Sequence, residues 1–455
     1  MIEFKFGDFF YPASLLRTWW LLLGSEHWGR EQFDHYQRER LAAILRHCAT
    51  DVPYYERLFK ETGIDPAGVT PVNAREQLEA LPILDKDALR DSPELFQARR
   101  MERFRPKAVQ TSGTTGTPLT IYWDRGSNVM EFCSIQRLWR WGGFRVGQPF
   151  LDLRSRYFGE EAKHAVQENG ILYIRNWKVN GLEFSSDRID RGNVRTYFDV
   201  LERYRPRLVR GHPQAIHHLA ALIAETGLHG WRPLVVTTAS ETLYPFQRRA
   251  IEDIWRVPVL DSYGLMEHNV FICQCRNGGY HVFPEYGICE ILDDEGRPVP
   301  PGEEGRLIVT GLHNYAQPLL RYDTRDRALN GSGEVCQCGR TLPTIKGILG
   351  RIDDCVFSPD GRRYSGFSFA FYGCPGLIKA RLTQDASDHV SVEVVSSNLF
   401  DAEARGSLID RLVKKVDGRL RFELVDVGEI IQETPGKFKF VVSRIDPPHD
   451  PIDGT

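Results

Sequence analysis

Between residues 32 and 62, apolar positions recur at helical spacing, with Leu41, Ile44, Leu45 and Cys48 on one face between charged residues. Asp51-Val52-Pro53 interrupts this helix, because proline pushes the residue before it out of helical geometry. Gly63 ends a second, shorter helix, and Asp85, after Leu81-Pro82-Ile83-Leu84, is placed to cap another. From about residue 200 the pattern alternates. Leu208 to Gly211, Leu234 to Thr238 and Val257 to Leu260 read as strands, with helices over His212 to Glu225 and Tyr244 to Trp255 between them. That repetition predicts a parallel sheet with crossover helices, and such sheets bind ligands beyond the carboxyl ends of their strands. Those ends carry Gly211-His212-Pro213, Ala239-Ser240-Glu241 and Asp261-Ser262-Tyr263-Gly264, so three polar loops are expected around one crevice.

Residues 281 to 330 read as strands and turns, with Asp293-Asp294-Glu295-Gly296 a hairpin signal. After Gly350-Arg351 the texture changes. Ile378 to Leu382 and Val390 to Val395 read as strands, Ala402 to Val416 as a helix, and Phe422 to Val427 and Phe438 to Ile445 as strands again. The expectation is an α/β protein with a large N-terminal domain over 1–350, its parallel sheets flanked by helices. A small α+β domain over 351–455 follows.

Composition narrows the class. The 455 residues are 42% hydrophobic and 26% charged, as in a globular protein with a sizeable core. A net charge of -3 argues against broad nucleic-acid binding, which needs basic faces. The chain opens without the basic and apolar stretches of a secretory leader. Its most apolar short run, Trp19-Trp20-Leu21-Leu22-Leu23, is too short to span a bilayer. A cytoplasmic protein without a membrane span is expected.

Two stretches carry candidate chemistry. Thr111-Ser112-Gly113-Thr114-Thr115-Gly116-Thr117-Pro118 offers hydroxyl donors, and glycines that let backbone N–H groups approach phosphate oxygens. It lacks the Gly-Lys-Ser/Thr ending of a Walker loop, and by composition alone a polar surface turn fits it equally well. Of the nine cysteines, Cys275 with His281, and Cys336 with Cys338, form a Cys3His set suited to tetrahedral zinc. Cys273 is an alternative to Cys275; Cys48, Cys133, Cys289, Cys355 and Cys374 read as packing residues. Four protein ligands would leave no open position, so the zinc would be structural.

The Thr111 to Pro118 loop resembles the Ser/Thr-Ser-Gly-Thr-Thr-Gly-x-Pro loop of the adenylate-forming enzymes, which include acyl-CoA synthetases, luciferases and peptide-synthetase adenylation domains. Further matches follow in the family's order. Ser262-Tyr263-Gly264-Leu265-Met266-Glu267 resembles the Tyr-Gly-x-x-Glu segment facing AMP and magnesium, and Arg321 to Asp326 the Tyr-x-Thr-Gly-Asp segment that holds the ribose. Gly350-Arg351-Ile352-Asp353-Asp354 is similar to the hinge, and Pro435-Gly436-Lys437 to the catalytic-lysine turn. Val52-Pro53-Tyr54-Tyr55, Leu81 to Lys86, Gly211-His212-Pro213 and the Cys-x-Cys-Gly-Arg at 336–340 resemble the phenylacetate–CoA ligase branch, with its relatives from polysaccharide gene clusters.

The resemblance implies ATP- and Mg2+-dependent conversion of a carboxylic acid to an acyl-AMP, followed by transfer to coenzyme A, or alternatively to an amine or hydroxyl. A zinc-stabilised, non-catalytic nucleotide-binding protein is the third reading. The resemblance also implies roles: Thr111 to Gly116 on the phosphates; Ala239, Ser240, Glu241, Asp261, Ser262, Tyr263, Gly264 and Arg351 around the nucleotide; Asp326 on the ribose; and Glu267 on magnesium. Lys437 would come from a mobile C-terminal domain turning about Asp353. Two positions depart from the pattern: Thr117 stands where lysine is usual and Arg325 where glycine is usual. The acid, and the choice between monomer and homodimer, are not written in these residues.

Overall fold

The computed structural model describes residues 12–110, 120–154, 158, 160, 162–351, 356–360, 363–364, 367–371, 374–416, 418–430 and 440–445. By internal packing the chain divides into two units, residues 1–146 with 260–348, and residues 147–259 with 349–455.

In the first unit, helices Arg30–Asp51 and Pro53–Glu61 meet at Val52, as the proline requires. Leu41, Ile44, Leu45 and Cys48 are buried in its core with Tyr55, Phe59, Leu307 and Val309. Asp85 caps the short helix Lys86–Asp91 by accepting from the Asp87 N–H. Strands Gly287–Leu292, Glu304–Gly311 and Tyr322–Leu329 form an antiparallel ladder, whose first hairpin turns at Asp293 to Gly296. Strands Val259–Gly264, Phe271–Gln274, Tyr280–Val282 and Thr344–Ile345 form a second antiparallel run. The helix Arg125–Trp141 is tied in by a fully buried ion pair, Arg137 Nη1 to Glu285 Oε1 at 2.9 Å. Such a charge is tolerated only with its partner in place.

In the second unit, strands Val235–Thr238, Leu208–Gly211, Phe150–Arg154 and Gly181–Ser185 lie side by side and parallel. Ile171–Asn176 and Ala165–Glu168 extend the edge antiparallel. Helices Val194–Tyr204, Pro213–Thr226 and Pro245–Trp255 cover the sheet, burying Tyr197, Leu201, Ile216, Leu219, Ile251 and Trp255 against Leu151, Val209 and Val236. Near-continuous apolar strands are what a sheet buried on both faces needs. The strand expected at Val257 to Leu260 instead runs Val259–Gly264. Pro258 has no N–H for a ladder and biases Val257, so the strand begins after it, although the Pro258 carbonyl accepts from the Val236 N–H at 3.1 Å.

The remaining part of this unit has its own core. Strands Arg421–Asp426, His389–Ser396, Leu377–Ala386 and Val441–Ser443 form a mixed sheet in that order. The helix Ala402–Lys415 packs on it through Ala404, Leu408 and Leu412. The last strand, expected from Phe438, is described from Phe440 onward.

Candidate functional site

Two carboxylates of the first unit, one beyond a strand's end and one within a strand, both act on the Tyr263 phenol. Beyond the strand Val259–Gly264 the chain turns through Leu265 and Met266 to Glu267, which is only 4% exposed. The turn is braced from outside: the Trp123 indole stacks on His268 at 4.1 Å, and its N–H donates to the Met266 carbonyl. His268 takes a positive φ of 52°, and burial pushes its imidazole down to about 3, so it stays neutral. The Tyr322 phenol donates to Glu267 Oε1 at 2.8 Å, and Lys86 Nζ lies 3.4 Å from the same oxygen.

Asp326 owes its position to an irregularity. Along the ladder, Arg306 faces Arg327 and Ile308 faces Asp323, so Leu307 alone stands opposite Thr324 to Asp326. Bulges of this kind re-aim side chains. The turn falls at Arg325, with φ at 60°, in the left-handed region that glycine occupies without strain and that costs other residues about 1 kcal/mol or more. The doubt that Arg325 raised about this turn is answered: arginine adopts the conformation glycine would. Its N–H donates to Asp323 Oδ1 at 2.8 Å, and its guanidinium bridges Asp85 and Asp87. Asp326, 7% exposed, accepts from the Tyr263 phenol at 2.6 Å. Burial first, and then the Asp326 charge, hold that phenol well above its ordinary range, so it remains a donor. Asp261 accepts similarly from the Tyr280 phenol at 2.7 Å. Ser262 lies opposite Cys273 in the same ladder, and Gly264 closes the strand.

In the second unit, the loops after two neighbouring parallel strands meet. Ala239 donates to the Gly211 carbonyl at 3.2 Å, and His212 Nδ1 lies 3.4 Å from Glu241 Oε1. Gly211 is required by close approach, since a Cβ there would sit 1.8 Å from the Leu153 carbonyl oxygen. Ser240 between them has φ at 72°. Arg351 ends the strand Gly347–Arg351. Thr111 to Pro118, Tyr157, Asp353, Cys355 and Lys437 lie outside the described residues.

The second constellation of the first unit is a donor cluster. The ligand atoms of Cys275, His281, Cys336 and Cys338 all lie within 4.8 Å of one another. Cys275 Sγ and Cys336 Sγ are 3.6 Å apart, and Cys338 Sγ and His281 Nε2 3.4 Å. A tetrahedron with zinc–sulfur bonds of about 2.3 Å and zinc–nitrogen bonds of about 2.0 Å has edges of roughly 3.5–3.8 Å, so these separations fit a single ion. Two turns make the fit: Gly278 N–H bonds to the Cys275 carbonyl, and Gly339 N–H to the Cys336 carbonyl, each at 3.0 Å with positive φ at the glycine. Gly279 also has no room for a side chain, since a Cβ would lie 3.0 Å from Cys336 Sγ.

His281 is buried and its imidazole pushed down to about 4, chiefly by burial; Nδ1 faces the Leu342 carbonyl at 3.4 Å, leaving Nε2 toward the sulfurs. Burial lifts the Cys275 thiol to about 11. At Cys338 burial acts in the same direction, but hydrogen bonds from Arg340 and the neighbouring cysteines carry the thiol below its ordinary value. Cys273, the alternative ligand, is instead buried within the strand Phe271–Gln274 and paired with His281 across the ladder, outside the donor set.

Some of this was missed from sequence. Tyr322 and Lys86 sat inside quoted segments, yet nothing in their spacing points at Glu267. Trp139 and Trp141 are buried: Trp141 lies 5.5 Å from the His281 ring with Arg340 over its face, and Trp139 meets Phe144 edge-on. Phe158 is buried in the second unit. Cys48, Cys133 and Cys374 are buried as expected, and Cys289 is half-buried.

No protein-family model matches the chain. It is similar to a phenylacetate–coenzyme A ligase of Thermus thermophilus, with 28% identity over 91% of this chain and 97% of that protein. It is 21% identical to the protein CapK of Staphylococcus aureus over 90% of this chain and 89% of that one. In fold it matches a 2-hydroxyisobutyryl-CoA ligase crystallised in the postadenylation state with an acyl-AMP ligand, with a TM-score of 0.69 and 20% identity, covering 92% of this chain and 91% of that one. The resemblance to the phenylacetate–CoA ligase branch of the adenylate-forming enzymes therefore extends along nearly the whole chain.

Proposed function

We propose that this chain, standing by sequence and fold among the phenylacetate–coenzyme A ligase-like adenylate-forming enzymes, activates a carboxylic acid with ATP and passes the acyl group to coenzyme A. The observation that carries this reading is the pairing of two nearly buried carboxylates, Glu267 and Asp326, each held by a phenol. A buried carboxylate is costly unless a charge or strong donors meet it. Neutral phenols and one ammonium at 3.4 Å orient these two while leaving their charge for an incoming group. An acceptor for the ribose hydroxyls and a ligand to a cation both need that.

Carboxylates are poor electrophiles, and adenylation overcomes this by attack of the carboxylate on the α-phosphate of ATP. The bond to pyrophosphate breaks as the acyl–phosphate bond forms. Two anions must meet, so fixed positive charge and donors lower the barrier. Glu267, an oxygen ligand suited to a hard cation, would hold magnesium, which supplies charge neutralisation at the phosphates. Asp326 accepts from the ribose hydroxyls in place of Tyr263, and the loop of Ala239 to Glu241 serves the adenine. By resemblance, Thr111 to Gly116 cradle the phosphates. Lys437 is delivered to the reacting carboxylate by residues 351–455, turning near Asp353. The Cys275, His281, Cys336 and Cys338 cluster binds zinc structurally; with four protein ligands, no position is left for water.

A mass-spectrometric screen for acyl-AMP over aryl, fatty and sugar acids, followed by addition of coenzyme A or amines, tests the reading. Acid-dependent acyl-AMP whose consumption is accelerated by coenzyme A supports it. Acceleration by an amine or hydroxyl acceptor alone moves the chain to amide or ester formation, and nucleotide binding without acyl-AMP leaves a non-catalytic binder.

A further inference from the structure

Arg325 occupies a position where the resemblance expects glycine, and its side chain reaches two residues far away in sequence. The guanidinium lies 2.8 Å from Asp85 Oδ1 and 2.5 Å from Asp87 Oδ2. The residue between those aspartates is Lys86, whose ammonium is the cation beside Glu267. The same stretch is stitched to the arginine's strand just upstream, by Leu84 N–H to the Arg321 carbonyl and Asp323 N–H to the Leu84 carbonyl, each at 2.9 Å. Those bonds stop at Leu84. Beyond it, Arg325 ties the first turn of the helix Lys86–Asp91 to the strand that carries Tyr322 and Asp326. A single guanidinium nitrogen, Nη2, meets both carboxylates in charge-assisted contacts, and Asp87 is shared with Arg90. Both of its carboxylates flank one lysine.

We propose that Arg325 is a positioning residue that acts through Lys86. By gripping Asp85 and Asp87 it holds the Lys86 ammonium against Glu267, and so sets how much divalent cation is needed to claim that carboxylate. The second half of this statement rests on Glu267 being the cation ligand, as proposed above. An ammonium and a divalent cation compete for one carboxylate oxygen and repel each other, so a firmly held Lys86 raises the cation concentration required.

Arg325→Gly is the informative variant, because glycine accepts a φ of 60° without strain and removes only the clamp. Limited acetylation, read lysine by lysine by mass spectrometry, is expected to modify Lys86 at least about three-fold faster in Arg325→Gly and in Asp85→Asn/Asp87→Asn, with other lysines unchanged and Arg325→Lys in between. Equal Lys86 reactivity in the wild type and Arg325→Gly overturns the clamp. In acid-dependent ATP–pyrophosphate exchange, Arg325→Gly and Lys86→Met each lower the Mg2+ concentration for half-maximal rate, and the double variant goes no lower than Lys86→Met. An Arg325→Gly effect that persists undiminished on the Lys86→Met background, or no effect at all, overturns the coupling. A wild-type protein without exchange for any acid defeats the functional reading instead, and the acetylation pattern still decides the clamp.

Discussion

The donor cluster at Cys275 and the carboxylates at Glu267 and Asp326 belong to one unit, yet they are prepared for opposite fates. In the cluster, four ligand atoms lie within 4.8 Å of one another, two pairs of them at 3.4 and 3.6 Å, and two glycine turns fix the backbone. With four protein ligands, an ion bound there as proposed would be held for stability. The carboxylates, by contrast, are kept by partners that can be exchanged: phenols at 2.6 and 2.8 Å, and an ammonium at 3.4 Å. Permanent burial calls for a sealed ligand set, and turnover calls for provisional partners. On the proposed function, the difference separates a part that supports the fold from a part that does chemistry.

The largest expected effect would break the sealed side. Cys336→Ser, or removal of metal by a strong chelator, should lower the melting temperature by about 10 °C or more, because a structural zinc contributes several kcal/mol to folding. Elemental analysis of the wild type should give one zinc per chain. Cys273→Ser should keep its zinc; loss of metal in that variant would return Cys273 to the ligand set.

On the provisional side, Glu267→Gln should reduce ATP–pyrophosphate exchange by about 10²–10³-fold while shifting the melting temperature by no more than about 2 °C. A comparable loss of stability would show the carboxylate to be structural after all. Tyr263→Phe removes the donor that the ribose hydroxyls must displace from Asp326, and should lower the KM for ATP by about 3–10-fold with little change in kcat, the worth of one hydrogen bond. An unchanged KM would separate Tyr263 from the nucleotide.

The smallest effect concerns the brace behind Glu267. His268 titrates at about 3 in the folded protein, against an ordinary value of 6.5. The unfolded chain therefore takes up the proton first as pH falls, and stability is lost from about pH 6.5 down toward about 3. His268→Asn, asparagine being tolerant of the positive φ, should flatten that loss by about one proton. Equilibrium denaturation across this range measures the slope, and an unchanged slope would mean that His268 is already protonated in the fold.

Legibility in the sequence followed range. Elements set by neighbours were readable: Val52-Pro53 broke the helix where expected, and Leu208 to Gly211 formed its strand. The start of the strand Val259–Gly264 is set by Pro258, a local cause in the sequence itself. The convergence of Cys275, His281, Cys336 and Cys338 could be read because cysteine and histidine pairs at short spacing have few other uses in such a chain. The choice between Cys275 and Cys273 could not, since it depends on where one strand ends and the next turn begins. Lys86 and Tyr322 reach Glu267 only through the fold, and no periodicity encodes a contact across such separations. Arg325 shows the opposite case. It stands where the resemblance expects glycine, and the structure has a left-handed residue there, held by Asp323, Asp85 and Asp87.

The central claim is that Glu267 and Asp326 serve one bound nucleotide. A crystal structure with a non-hydrolysable acyl-adenylate analogue tests it most directly. The account predicts ribose hydroxyls within hydrogen-bond distance of Asp326, with the Tyr263 phenol displaced from it, and the phosphate-equivalent group on the side of Glu267. An analogue bound elsewhere, with both phenols still on their carboxylates, would contradict it.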